Sequence, residues 1–315
     1  MDEILATSVP VFAAVGALVV ISVCLQVISS IYKTFLRPAK NLKKLGKWAV
    51  ITGATDGIGK AYALALAKKG MSIFLISRTE QKLQDVCNEI DEKKYAGVET
   101  KYLVCDYNNF NPEARAKVGE AISSLDVGVL INNVGVSYPY PKFFHELSDE
   151  QVASLIEMNV NSTTWMTKMV IGGMAERRHG AIVNIASAAG CYTMPLLAQY
   201  SAAKSYIAMF SRGLNAEYSG KGVTVQCQVP FYVATKLAKL RKSFTVPTPE
   251  SYVKLGIRWI GYKDAVVSPF WFHAVQGWVM CRLPSALVDK LVMAMHMAIR
   301  KAGMKKEAMK KAKDS

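Results

Sequence analysis

Two patterns of apolar and polar positions meet near residue 46 of the chain. From Ile4 to Tyr32 no charged side chain occurs, and VPVFAAVGALVVISVCLQVISSIY is predominantly apolar. At about 1.5 Å per residue, such a helix is long enough to cross a hydrocarbon layer of about 30 Å. Beyond residue 46, short β-branched runs alternate with helix-like segments. KWAVIT (47–52), MSIFLIS (71–77), KYLVC (101–105), VGVLIN (127–132), AIVNIA (181–186) and VTVQCQV (223–229) predict six strands, and helices are expected to start near 57, 80, 111, 148 and 199.

Near-continuous apolar strands separated by helices predict a parallel sheet covered on both faces. The fold class is α/β, a Rossmann-like doubly wound parallel sheet, with an N-terminal transmembrane helix and a hydrophobic C-terminal extension. Residues 231–300 break the alternation with Trp259, Trp271, Trp278 and the run AVVSPFWFHAVQGWVMC (265–281), which is interrupted by Pro269 and His273. That run suits a cap over an apolar site, a segment resting on a membrane, or one entering it; a second crossing stays open. The expected organisation is an anchor and basic linker (1–45), a dinucleotide-binding catalytic domain (46–235), a hydrophobic substrate- or membrane-associated region (236–300) and a basic tail (301–315).

Charge changes this picture through its placement. The net charge is +15, of which +11 sits in two flanks: residues 33–47 and residues 300–315. No Lys/Arg stripe interleaved with aromatics tracks a phosphate backbone, so the charge is not a nucleic-acid footprint. Asp2 and Glu3 precede the apolar segment, where a cleavable signal peptide would carry positive charge. With the basic residues after it, the positive-inside rule puts everything beyond Lys33 in the cytosol. The ending KAKDS sets Lys311 and Lys313 at the spacing of a dilysine signal for retrieval to the endoplasmic reticulum, which is read from the cytosolic side. On that side the sequon Asn161-Ser162-Thr163 should stay unglycosylated. The six cysteines form no C-x-x-C pair, and His145, His179, His273 and His296 show no catalytic or ligand spacing, so neither a disulfide framework nor a metal site is indicated.

The first strand runs directly into TGATDGIGKAYA. Gly53, Gly57 and Gly59, with Thr55, Asp56 and Ile58 between them, suit a tight turn ahead of a helix whose free N–H groups face a pyrophosphate. The second strand ends in LISRTE, with Arg78 and no carboxylate before Glu80. An arginine there favours a 2′-phosphate and hence NADPH; a solvated loop charge is the plain alternative. In QYSAAKSYIAMF, Tyr200 and Lys204 are one helical turn apart, which alone is an ordinary surface pair.

Together these motifs resemble the short-chain dehydrogenase/reductase family over residues 46–235. TGATDGIG matches its cofactor turn, and INNVG (131–135), containing Asn133, matches its Asn-Asn-Ala-Gly element with Val134 replacing Ala. Asp106 matches the position that holds the adenine amine. Asn159, Ser187, Tyr200 and Lys204 match the catalytic tetrad, and Thr235 follows the sixth strand in the cofactor-binding region. The resemblance implies that Tyr200 protonates a carbonyl oxygen held by Ser187 while hydride reaches the carbon. Lys204 would bind the nicotinamide ribose and favour the phenolate by its charge; Asn159 would hold a proton-relaying water.

Within the family, NLKKLGKWAVITGATDGIGKAYA, LDVGVLINNVGVSYPYPKFFHEL and VQCQVPFYVATKLAKLRK are similar to the very-long-chain 3-oxoacyl-CoA reductase branch, especially its plant members. Pro230-Phe231, in place of the usual Pro-Gly, also fits that branch. The branch implies NADPH, a long-chain acyl-CoA substrate, the endoplasmic reticulum membrane and other fatty-acid elongation enzymes as partners. It also contains 17β-hydroxysteroid dehydrogenases, so a ketosteroid substrate and a catalytically silent scaffold remain alternatives. Lys239, Arg241 and Lys242 are candidates for the CoA phosphates, or simply a solvated helix face.

Overall fold

The computed structural model describes residues 2–238 and 240–314. Lys239 and the side chain of Lys313, both singled out above, lie outside the described residues. The chain divides into two units, Met1–Pro38 and Ala39–Ser315. The first is a helix, α1 (Asp2–Ile31), continued by a π-helical turn, Tyr32–Leu36. Among the described residues this is the one helix long and apolar enough to cross a membrane, over Val9–Leu36.

In the second unit the order is β1 (Trp48–Thr52), α2 (Gly57–Lys68), β2 (Ser72–Ser77), α3 (Glu80–Asp91), β3 (Thr100–Val104), α4 (Pro112–Ser123), β4 (Val127–Asn132), α5 (Asp149–Ile156) and α6 (Ser162–Glu176). It continues with β5 (Gly180–Ile185), α7 (Ala198–Tyr218), β6 (Val223–Gln228), α8 (Pro249–Gly256), β7 (Val266–Val267), α9 (Trp271–Met280) and α10 (Ser285–Asp314). The strands form one parallel sheet in the order β3-β2-β1-β4-β5-β6-β7. The six expected strands appear within one residue of their predicted limits, as do the five helix starts.

β1, β2, β4, β5 and β6 are buried on both faces, so their alternating side chains feed two cores, whereas β3 at the sheet edge is largely exposed. Ala49, Ile51, Ile73 and Leu75 pack with α2, α3 and α8, whereas Val50, Phe74, Ile76 and Leu130 pack with α4 and α6. Buried amides tie the second layer down. Asn132 donates to Thr167 of α6 and to Asn184 of β5, and Asn184 donates to Ser211 of α7. Chain direction across the sheet reverses between β1 and β4, which opens a crevice at their C-terminal ends.

The apolar run 265–281 resolves into an edge strand and a short helix. β7 pairs with β6, and α9 has ten residues, about half the length a bilayer crossing requires. His273 anchors α9: its Nδ1 accepts the Phe231 N–H at 3.3 Å, and burial pushes its pKa down to about 4, keeping the ring neutral. Residues 240–247 are not helical, so Arg241 and Lys242 are exposed loop residues and not a helix face.

The division expected at residue 300 falls inside α10, which runs on without a break through the basic tail. Val288, Val292 and His296 are its buried stripe. Arg300 donates twice to the Glu146 carboxylate, at 2.5 and 2.6 Å, and His296 Nδ1 lies 2.6 Å from the Pro195 carbonyl oxygen.

Arg300 holds the Glu146 carboxyl below its ordinary value of 4.5, so the pair supports the docked helix above that pH and fails as pH falls through the lowered value. Replacing Glu146 by Gln is expected to speed amide hydrogen exchange along α10 at neutral pH while β1 and β4 keep their protection. Unchanged exchange in α10 would show that the ion pair does not hold it.

Candidate active site

The crevice is a cavity of about 1920 Å³ running from the glycine turn after β1 to the inner face of α10. A single small-molecule site typically occupies about 300–1,000 Å³, so this one has room for a dinucleotide and a second long ligand.

At one end Gly53 and Gly57 take φ of +61° and +54°, a backbone region that disfavours other residues. A Cβ at Gly59 would lie within van der Waals overlap of the Gly53 carbonyl oxygen and the Asn133 amide, so the turn closes tightly only because residue 59 has none. Asn133 Nδ2 donates to the Gly53 carbonyl at 3.1 Å, joining the ends of β1 and β4. Asp56 caps α2 by accepting the Gly57 N–H at 2.7 Å, and Lys236 pairs with its other oxygen. The Thr235 methyl sits over Gly57.

Gly53, Asp56, Gly57, Ile58, Arg78, Asp106, Asn133 and Thr235 all line the cavity; Thr55 and Gly59 do not. Thr55 faces Ser77, 3.2 Å between hydroxyls, and Gly59 is packed beneath the turn. Arg78 is exposed on the wall at the end of β2, with no ion pair among the described residues. This set fits a nicotinamide dinucleotide phosphate: the N-terminus of α2 for the pyrophosphate, Asp106 for the adenine, and Arg78 for a 2′-phosphate.

At the other end, α7 carries Tyr200 and Lys204 on one face. Lys204 is buried and donates to the Ile185 carbonyl oxygen at 3.3 Å; its Nζ lies 5.7 Å from the Tyr200 ring centre. Ser187, just past β5, lines the cavity with Tyr200 and is close enough to its phenol to favour the phenolate. Its Oγ accepts the Ala189 N–H at 3.2 Å, leaving its own proton to donate. The Ser187 turn touches α7 closely: a Cβ at Gly190 would lie 2.5 Å from the Lys204 carbonyl carbon.

Asn159 sits in a π-helical turn, Glu157–Asn161, between α5 and α6. Such turns rotate a side chain out of helical register and recur at functional sites. Asn159 Nδ2 donates to the Val136 and Leu155 carbonyl oxygens, both at 3.0 Å, while its buried Oδ1 accepts no hydrogen bond from the described residues. A Cβ on Gly135 would lie 2.7 Å from that Oδ1 and 3.0 Å from Lys204 Nζ. Gly135 therefore makes room for both groups.

The electrostatics differ from the expectation that Lys204 lowers the Tyr200 pKa. Burial pushes the phenol up, with Ser187 opposing, and burial pushes Lys204 down to about 8. The reason is that desolvation disfavours both charged forms. At neutral pH the phenol is a protonated donor, and the amine beside it exchanges protons near the working pH.

The descriptive family model "short chain dehydrogenase" matches residues 47–244. The chain belongs to the short-chain dehydrogenase family. It is therefore an oxidoreductase, and the fold of solved short-chain dehydrogenases agrees with its own. A 7β-hydroxysteroid dehydrogenase superposes with a TM-score of 0.69 at 26% identity, covering 77% of this chain and 95% of that one. A short-chain dehydrogenase from Sphingobium yanoikuyae in complex with NADPH gives 0.64 at 25% identity, covering 76% and 97%. A very-long-chain 3-oxoacyl-CoA reductase of Anas platyrhynchos is 46% identical over 270 residues, 85% of each chain.

Beyond the motif positions, the cavity of this short-chain dehydrogenase is walled by residues that motif reading passed over. Tyr138 accepts the Gln199 N–H at 3.1 Å and so fixes the start of α7, and Tyr232, in the loop after β6, lines the same cavity as Tyr200. Val288, Val292 and His296 of α10 close the apolar side. Only the last group carried a signal in the sequence, its spacing of four.

Changing Gly135 to Ala should displace Asn159 and Lys204 by several tenths of an ångström. Steady-state ketone reduction is expected to fall about tenfold or more, a misplacement of about 1 Å being enough to cost about 100-fold. Activity near that of the unaltered enzyme would show that the close approach at Gly135 has no catalytic consequence.

Proposed function

We propose that the chain is an NADPH-dependent very-long-chain 3-oxoacyl-CoA reductase, forming 3-hydroxyacyl-CoA in fatty-acid elongation. The observation that carries this reading is its likeness to reductases of that name, 42–46% identical over most of both chains. NADPH, held by the glycine turn and Arg78, would supply the hydride that the ketone carbon takes up. Tyr200 donates its proton to the ketone oxygen, and Ser187 donates a hydrogen bond to the same atom. Lys204, with a pKa of about 8, returns the proton to Tyr200, and Asn159 Oδ1 accepts a hydrogen bond on the path from solvent. Arg78 pairs with the 2′-phosphate. The apolar wall from Met280 to Ile299 takes the acyl chain, whose CoA end stays in water.

The apolar helix Val9–Leu36 supports membrane anchoring, and an elongation role supports the endoplasmic reticulum, with the catalytic unit cytosolic and other elongation enzymes nearby. A ketosteroid is the competing substrate, favoured by the likeness to a solved hydroxysteroid dehydrogenase.

Microsomes holding the full chain, given NADPH, are expected to reduce a long 3-oxoacyl-CoA, and Tyr200→Phe to lower that rate at least about 100-fold. Reduction of a ketosteroid alone would refute the substrate assignment, and turnover of neither would favour a scaffold. For the cofactor, Arg78→Asp is expected to reduce the preference for NADPH over NADH by about tenfold or more, a charge-assisted contact being worth about 1.5–3 kcal/mol. Equal losses with both cofactors would refute the 2′-phosphate contact.

A further inference from the structure

Large apolar side chains are unusually exposed around one end of the cavity. Leu237 and Leu240 from the loop after β6, and Leu283 and Leu291 from the start of α10 and its approach, line the cavity yet face solvent; Leu237 is 57% and Leu291 56% exposed. The apolar surface continues outward from this rim. Phe244, 72% exposed, meets the rings of Trp271 and Phe272 edge-on at 5.5 and 5.7 Å, joining the loop to the start of α9. Along α9, Val275, Trp278 and Val279 form an exposed stripe at helical spacing. The opposite side of the same helix turns Gln276 and Met280 to the cavity and buries His273 and Gly277.

A continuous apolar surface of this kind marks a docking site, and its edges indicate what it docks on. The Arg282 guanidinium stacks 3.8 Å from the centre of the Trp278 ring, and Lys290, Arg241 and Lys242 are exposed nearby in sequence on the same elements. Between residues 271 and 300 the acidic side chains number one, Asp289. Apolar residues edged by arginine, lysine and an exposed tryptophan match the boundary between acyl chains and anionic headgroups. The chain also carries its own apolar helix of spanning length, which on the anchoring proposed above would hold it at a bilayer.

We propose that α9, the start of α10 and residues 237–238 and 240–244 form a lip that rests on the lipid surface, through which the substrate's acyl chain passes from the bilayer into the cavity. The docking follows from the surface alone; the identity of what passes through it rests on the reductase reading above. A long acyl chain would then move from one apolar medium to another without crossing water.

The test uses the full chain reconstituted in phosphatidylcholine vesicles containing phosphatidylinositol. The difference in fluorescence between the unaltered protein and Trp278→Phe isolates Trp278. Its emission is expected to be quenched by brominated phosphatidylcholine and protected from aqueous iodide. Quenching by iodide without effect of the brominated lipid would overturn the proposal, as would protection from both, which would mean that protein covers the lip.

Val275 and Val279 lie outside the cavity wall, so Val275→Glu with Val279→Glu should leave reduction of a short, water-soluble 3-oxoacyl-CoA within about twofold. For a long 3-oxoacyl-CoA supplied in the vesicles, kcat/KM should fall about tenfold or more. Equal effects on both substrates would refute lateral entry. Inactivity of the unaltered protein toward both would instead refute the reductase reading, while Trp278 quenching still decides the docking.

Discussion

The constraint on which the site depends is the burial of the Lys204 ammonium. A buried cation is costly unless its surroundings are built for it. Here, among the described residues, the carbonyl of Ile185 at the end of β5 accepts its hydrogen bond. The neighbouring backbone is shaped to the same end. Gly135 lacks the side chain that would collide with the amine, and the π-helical turn between α5 and α6 brings Asn159 Oδ1 beside it. The tight contact of Gly190 with α7 holds the Ser187 turn over Tyr200. The same desolvation that lowers the lysine's proton affinity raises the tyrosine's, leaving a protonated phenol beside an amine poised near neutrality.

The sheet was legible because its signal is dense. Six strands of five or six residues, all but the edge strand β3 buried on both faces, leave little choice of register or layer, and each fell within a residue of its sequence limits. The site was legible where chemistry requires a residue type at a fixed place: Tyr200, Lys204, Ser187 and Arg78 line one cavity, and Asn159, which does not line it, meets Lys204 across Gly135. Reading failed where position depends on packing. Thr55 and Gly59 belong to the turn but sit behind its surface. The direction of the Tyr200 shift could not be read because a lysine at i+4 announces a charge, while burial depends on every element around it.

The C-terminal region was harder for a different reason. Its apolar residues serve two environments at once. The run 265–281 begins as a sheet edge and ends as a helix with one side toward the cavity and one exposed, so its composition alone resembles a membrane segment. α10 crosses a change in composition, from Leu- and Met-rich to Lys-rich, without a break, because Arg300–Glu146 and Glu307–Tyr140 continue its docking where apolar contacts thin out. A sequence boundary drawn on charge therefore divides one helix.

The most direct measurement is the titration of Lys204 itself, by NMR of 13C-labelled lysine in the full chain, with Lys204→Met assigning the resonance. The account predicts a lysine that titrates near pH 8, well below the ordinary value of 10.5. A Lys204 that titrates with the exposed lysines would contradict it.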